Sequence, residues 1–465
     1  MIFLIRALEK KIQLVYGKNI EAYVTVLANS DVTELVRMIL AGELTSSELT
    51  EVCLSAIDDS EEVGAWAHLD REFALKQAEE RDLHRASGQS CGPLHGIPVG
   101  IKDIFDTKDF PTENGTVLDA GRQPLSDCTV VGKLKSAGAV IVGKTVTTEL
   151  AVYYPGKTRN PHDLTRTPGG SSSGSAAAVA SGMVPLAVGS QTNGSVIRPA
   201  SFCGIFGFKP SYGTISRWGV LEQSRLLDSV GVMARSVNDL ALISETLMGY
   251  DERDSAMRQQ ATPALVSIAR DEPPVEPAIA FVKSPVWKHA EADCREAFSE
   301  IIDCLGKHCD EIDLPAPFEK AIDWHRTILC ADLAKNFFTR YQSGKAQLSK
   351  ELVGMIEEGQ DVLAVDYNRA VDGMGILYAG LEQLFENYDA ILTPAVTGEA
   401  PPSLETTGDP IFCTLWTYLG MPAVALPLLQ GSNGLPIGVQ LTSMRRDDGR
   451  LLRTADWLIR KVEES

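Results

Sequence analysis

Gly169-Gly170-Ser171-Ser172-Ser173-Gly174-Ser175 runs directly into Ala176-Ala177-Ala178-Val179-Ala180, and Leu186-Ala187-Val188-Gly189 leads into Gln191-Thr192-Asn193-Gly194-Ser195. The alanines predict a helix over 172–181, entered through a tight Gly/Ser turn whose backbone N–H groups favour negative charge. Leu186–Gly189 predicts a strand. The polar residues after it predict a sharp turn, in which consecutive N–H groups can converge on one oxyanion. Ser171 and Ser195 therefore stand 24 residues apart in two small-residue turns. Turn, helix, strand and turn in succession mark an α/β protein.

Further strands are expected at Pro98–Lys102, Ala139–Val142, Ile279–Val282, Ala390–Leu392 and Ala423–Leu426, alternating with helical stretches. That alternation predicts an α/β sandwich around a large, mostly parallel or mixed sheet, with sites in the loops beyond strand ends. Asp31 reads as an N-cap, and Thr45-Ser46-Ser47-Glu48 as a capping box. Residues 1–29 read as an amphipathic helical extension, and 30–465 as one domain with a mainly helical insertion over about 290–387. Residues 259–277, rich in Pro, Gln and Ala, read as a surface connector.

Lys102 closes the apolar run Gly96-Ile97-Pro98-Val99-Gly100-Ile101. A lysine in that place either reaches solvent or is buried. If buried it loses hydration, and a neutral amine becomes accessible as a general base. Two serines in tight turns with such a lysine are the parts that acyl transfer needs without histidine.

Other motifs compete. Gly170-x-Ser172-x-Gly174 fits the nucleophile elbow of α/β-hydrolases, but that motif needs a buried strand before it, and His162–Pro168 is polar. Gly138-Ala139-Val140-Ile141-Val142-Gly143-Lys144-Thr145 fits a phosphate-binding loop, yet its four middle residues are strand material. His95 and His162 are alternative bases, though both lie near prolines and read as loop-shaping. The nine cysteines are scattered with no CxxC pair, so neither zinc nor any other cofactor is expected.

With 62 acidic against 43 basic residues the net charge is −19, which offers nothing to a nucleic-acid backbone. No run approaches the ~20 apolar residues of a membrane span. The first residues carry too few apolar side chains for a secretory segment, and cytoplasmic placement is expected.

Taken together, Gly96–Asp103, Pro168–Ala180, Gly189–Pro210, Gly420–Ala423 and Gly434–Gln440 resemble the amidase signature family, over about residues 30–465. The resemblance implies a single α/β/α domain around a large mixed sheet and a Ser–cis-Ser–Lys triad. By position it makes Ser195 the nucleophile, Ser171 the bridging serine after a cis peptide bond, and Lys102 the base. It also implies an oxyanion hole from the N–H groups of Thr192, Asn193, Gly194 and Ser195, with Ser172 in support. The expected activity is hydrolysis of a small non-peptide amide to an acid and ammonia or an amine. A homodimer is expected from the same resemblance.

Two departures from the family pattern stand out. The usual Asp-Thr-Gly-Gly-Ser reads Gln191-Thr192-Asn193-Gly194-Ser195, so the turn is expected to be narrower or to hold Asn193 left-handed. The arginine usually two residues after the nucleophile is three after it, as Arg198. This is similar to a malonamidase-like branch with small substrates. Arg198 either clamps a substrate carboxylate or pairs structurally with Asp228 or another acid. Tyr153, Tyr154 and Trp416 either wall the pocket or pack the core. The alternatives to a free-standing amidase are a glutaminase (A-type) component of a tRNA-dependent amidotransferase and a catalytically degenerate binding or scaffold protein.

Overall fold

The computed structural model describes residues 30–464, so the extension expected over 1–29 lies outside it. The described residues form eleven strands: β1 (Trp66–Leu69), β2 (Pro98–Lys102), β3 (Val140–Thr145), β4 (Leu186–Gln191), β5 (Phe206–Lys209), β6 (Ser229–Ala234), β7 (Ile279–Lys283), β8 (Cys309–Asp313), β9 (Ala390–Pro394), β10 (Ala423–Gln430) and β11 (Pro436–Thr442). They make one sheet in the order β1-β3-β2-β4-β6-β5-β10-β11-β9-β7-β8. Pairing is parallel across β3-β2-β4 and across β9-β7-β8, and antiparallel through the centre. Helices flank this mixed sheet, giving a single α/β domain.

β2, β3 and β4 are buried along their whole length, which is why they read as short apolar runs rather than alternating ones. Two of the strands that sequence reading passes over, β8 and β6, have physical reasons to hide. β8, Cys-Asp-Glu-Ile-Asp, is a half-exposed edge strand, and acidic side chains on an edge discourage further pairing. β6 carries Gly231, whose added Cβ would meet Val196 Cγ2 at 2.7 Å and Phe208 O at 2.8 Å. Its glycine is a packing requirement, not a break.

Local signals are realised where caps close on themselves. Asp31 accepts from Glu34 N at 2.8 Å to start the helix Val32–Ala41. Thr45 and Glu48 form the reciprocal capping box of the helix Ser46–Asp59. The segment read as a connector contains a short helix, Leu265–Arg270, whose Leu265 and Ala269 are buried. Residues 290–387 hold the helices Ala292–Leu305, Lys320–Asn336, Phe338–Gly344, Lys350–Gln360 and Ala364–Glu382, together with β8. The phosphate-loop motif is strand β3, and Lys144 Nζ there pairs with Asp103 (3.0 Å) and donates to Thr112 Oγ1 (2.6 Å). Among the described residues no helix is long and apolar enough to cross a membrane.

Candidate active site

β2 delivers Lys102 at its last position, and the parallel neighbour β4 delivers Ser190 beside it. Lys102 is fully buried, and its Nζ donates to Ser171 Oγ at 2.8 Å and to Ser190 Oγ at 2.9 Å. Both partners are neutral hydroxyls. Burial therefore drives the amine well below the usual lysine range, opposed only in part by the charge of Asp228.

Ser171 sits at the mouth of the helix Ser173–Ala180, and the Gly170–Ser171 peptide is cis. Ser172 ties the pieces together. Its Oγ donates to Ser190 O (3.2 Å) and accepts from Ser190 N (3.3 Å), and its N–H donates to Ser195 O (3.3 Å). Gly189 permits this approach, since a Cβ there would lie 2.7 Å from Ser172 Oγ.

After β4 the chain turns through Thr192–Ser195 into the short helix Ile197–Phe202. Gln191 stabilises the exit, because its Oε1 accepts from both Val196 N (2.8 Å) and Ile197 N (3.0 Å). The side-chain amide thus does a helix cap's work and explains how glutamine serves here. Its Nε2 donates to Thr417 Oγ1 at 2.9 Å. Thr192 Oγ1 donates to Asp228 Oδ1 at 2.6 Å. Asp228 is held by Gln223 N and Ser224 N as well, yet burial pushes its carboxyl up to about 6.

Of the two expectations for this turn, the left-handed Asn193 is not met: Asn193 is absent from the positive-φ residues of the described chain. Its side chain is pinned instead: Nδ2 donates to Tyr153 OH (3.2 Å) and Oδ1 accepts from Thr414 Oγ1 (2.8 Å). Among the described residues the N–H groups of Asn193, Gly194 and Ser195 meet no acceptor, while the carbonyls of Thr192, Asn193 and Gly194 are all engaged.

Arg198 is 1% exposed. Nη2 donates to Gly170 O (2.8 Å) and Thr407 Oγ1 (3.1 Å), while Nε and Nη1 meet no acceptor among the described residues. Asp228 is engaged elsewhere, so the ion pair expected as the structural alternative does not form. Burial depresses the guanidinium's pKa, and no acid compensates directly.

Tyr153 stands at the turn through its Asn193 contact, whereas Tyr154 is a surface residue. Trp416 is 1% exposed and packs in an apolar cluster with Leu150, Phe337 and Leu419, which matches the packing alternative. Neither alternative base joins the cluster: the His95 ring faces Arg81 O and the His162 ring faces Cys203 O. A cavity of about 250 Å³ is lined by Ser190, Thr192 and Asp228, and also by Arg217, Trp218 and Arg253.

Two partners escape sequence reading: Ser190, beside the amine, and His325, whose ring meets Thr192 O at 2.9 Å. A signal for the latter does exist. Ala321, His325, Ile328, Leu329 and Asp332 share the buried stripe of the helix Lys320–Asn336, and polar residues within an apolar stripe need partners.

The amidase family model matches residues 48–452. The A-type component of the glutamyl-tRNA(Gln) amidotransferase of Chloroflexus aggregans is 35% identical over 457 residues, covering 90% of this chain and 93% of that protein. Among solved structures, a chain of a vestigial protein complex linked to the origins of an s-triazine catabolic enzyme superposes with a TM-score of 0.87 at 27% identity, covering 93% of this chain and 98% of its own. A crystal structure of an amidase gives a TM-score of 0.81 at 29% identity, covering 93% of this chain and 100% of its own. The chain belongs to the amidase family.

Proposed function

We propose that the chain hydrolyses the carboxamide of a small molecule that also bears a carboxylate, through an acyl ester on Ser195, with release of ammonia. The observation that carries this reading is the contact between the fully buried Lys102 amine and Ser171 Oγ at 2.8 Å. In the neutral form the amine accepts the Ser171 proton, and Ser171 accepts that of Ser195. The Ser195 oxygen bonds to the amide carbon, and the carbonyl electrons move onto oxygen facing the N–H groups of the turn Thr192 to Ser195. Collapse breaks the C–N bond as the proton returns through Ser171 to the departing nitrogen. Water then cleaves the ester by the same relay and regenerates Ser195.

Arg198 supports a carboxylate on the substrate. A buried cation with two donors unused and no acid in contact with it among the described residues favours an anionic guest. Small monoamides of dicarboxylic acids fit that description, and this is the content of the malonamidase-like reading. Glutamine fits it as well, and the relatives named as A-type components of a glutamyl-tRNA(Gln) amidotransferase favour it; as such a glutaminase the chain would need a route for ammonia to a partner. Within the class, that glutaminase reading has more support than a free-standing small-amide hydrolase. The chain's charge of −19 supplies no hold on RNA, so an RNA-borne acceptor would need a partner to carry it.

Ammonia release from glutamine, from a short dicarboxylic monoamide and from a neutral primary amide tests the proposal. Ser195→Ala should abolish turnover while leaving the melting temperature unchanged, and full activity in that variant refutes the mechanism. A fluorophosphonate that labels Ser195 excludes a degenerate scaffold. Arg198→Lys should impair carboxylate-bearing amides far more than neutral ones; equal losses remove its binding role. Glutamine turnover that rises on adding partner proteins selects the amidotransferase reading, and fast turnover of a monoamide alone selects the free-standing one.

A further inference from the structure

We infer that His325, from the helix Lys320–Asn336 in the mainly helical part of the chain, is a positioning residue that aims the Asn193 N–H at the oxygen of the tetrahedral intermediate. This rests on the reading of residues 192–195 as the oxyanion-binding turn. The His325 ring is buried at 2% exposure, and Nε2 lies 2.9 Å from Thr192 O. A carbonyl only accepts, so the imidazole carries its proton on Nε2 and donates. Burial lowers the ring's pKa to about 4, so it stays neutral around pH 7.

A trans peptide is planar, with C=O and N–H on opposite sides. Holding the Thr192 carbonyl towards the helix Lys320–Asn336 therefore turns the Asn193 N–H away from that helix. The next peptide is held in the same manner. Thr417 Oγ1, from the helix Ile411–Tyr418, donates to Asn193 O at 2.5 Å and so sets the Gly194 N–H. Arg198 N donates to Gly194 O at 2.9 Å and sets that of Ser195. Three carbonyls are engaged on their outer sides, and three N–H groups are left for an incoming oxygen. The first two anchors are side chains 133 and 224 residues away from the carbonyls they hold. No charge, acid or base is asked of His325, and it does not touch the reacting atoms.

Oxyanion donors lose much of their effect when displaced by about 1 Å, so removing the anchor should slow chemistry without weakening ground-state binding. The test compares His325→Phe, His325→Gln and Thr417→Val with the parent on whichever of the three amides of the ammonia-release assay the parent turns over fastest, with Ser195→Ala as control. The expected result for His325→Phe is a fall in kcat of about 10- to 100-fold with KM within about twofold. Affinity for the aldehyde of the same acyl group, which forms a tetrahedral adduct, should fall in step with kcat/KM, and affinity for the product acid should not change. His325→Gln, which keeps an N–H donor, should recover part of the loss, and Thr417→Val should show the same kcat-selective pattern.

The stoichiometry of fluorophosphonate labelling counts intact sites. A loss explained wholly by fewer labelled sites or a lower melting temperature, or an unchanged kcat in folded His325→Phe, overturns the inference. If His325→Phe does not fold, Thr417→Val and His325→Gln decide, and parent-like kcat in both overturns it equally. An active Ser195→Ala would instead overturn the function itself, so the two failures are distinct.

Discussion

In the proposed mechanism Lys102 is the residue on which the chemistry turns, because its two Nζ partners among the described residues are hydroxyls and neither repays the desolvation of a charge. As only the neutral amine can accept a proton, kcat/KM should climb with pH along a limb set by Lys102 and level off above it. That limb should lie well below the usual lysine range, because burial lowers the pKa. Asp228 pulls the other way, favouring the charged amine. Asp228→Asn, which keeps an acceptor for Thr192 Oγ1, should therefore move the limb to lower pH; a shift to higher pH in the measured profile contradicts this account. At this scale the motif residues are legible in the sequence because each demands a local feature: a strand end, a helix mouth, a turn. Ser190 and His325 are not, since their partners lie 88 and 133 residues away.

Helix ends give the clearest element-scale tests. Thr45→Ala removes the side-chain half of its capping box: Glu48 N loses its acceptor, and Glu48 Oε2 loses the Thr45 hydroxyl. The expected cost is about 1 kcal/mol, read as a lower denaturation midpoint with turnover unchanged. Asp239 joins two helix starts: its N–H donates to the capping Ser236 Oγ, and its Oδ1 accepts from Val32 N at 2.7 Å. Its Oδ2 is buried with no partner among the described residues, and burial raises the carboxyl to about 6 from its ordinary 3.8.

Below the unfolded value the group is neutral in both states. As pH rises through about 6 the folded protein must bury a charge that the unfolded chain exposes, and that part of its stability is lost. Asp239→Asn keeps the Val32 contact and should raise the melting temperature more at pH 8 than at pH 4.5. A gain that is equal at both values, or larger in acid, contradicts the assignment. Capping residues were readable because three positions of sequence contain the whole interaction. The Asp239 link to Val32 spans 207 residues and could come only from packing.

Across the whole molecule, the sheet separates stability from chemistry. β2 and β4, which carry the amine and its neighbour, lie near one end, and β7 lies near the other. Phe281 of β7 is 1% exposed and packs against Trp287 and Phe298. Phe281→Ala should cost about 3–5 kcal/mol in denaturant unfolding. Turnover per labelled site should stay at the parent value at low temperature, and a matching fall in kcat would mean the two ends are coupled.

The alternation of apolar runs and helical segments determined an α/β sheet protein, and the glycine- and serine-rich runs marked the two serine-bearing turns. Those signals are local, written in the reach of a turn or a strand. Tertiary structure alone decided that Arg198 meets no acid among the described residues, that Trp416 packs inward, and that a histidine from a distant helix holds the carbonyl behind the turn. Each of these depends on which side chains meet after hundreds of residues have folded back, and a partner's identity is not encoded near the residue that needs it.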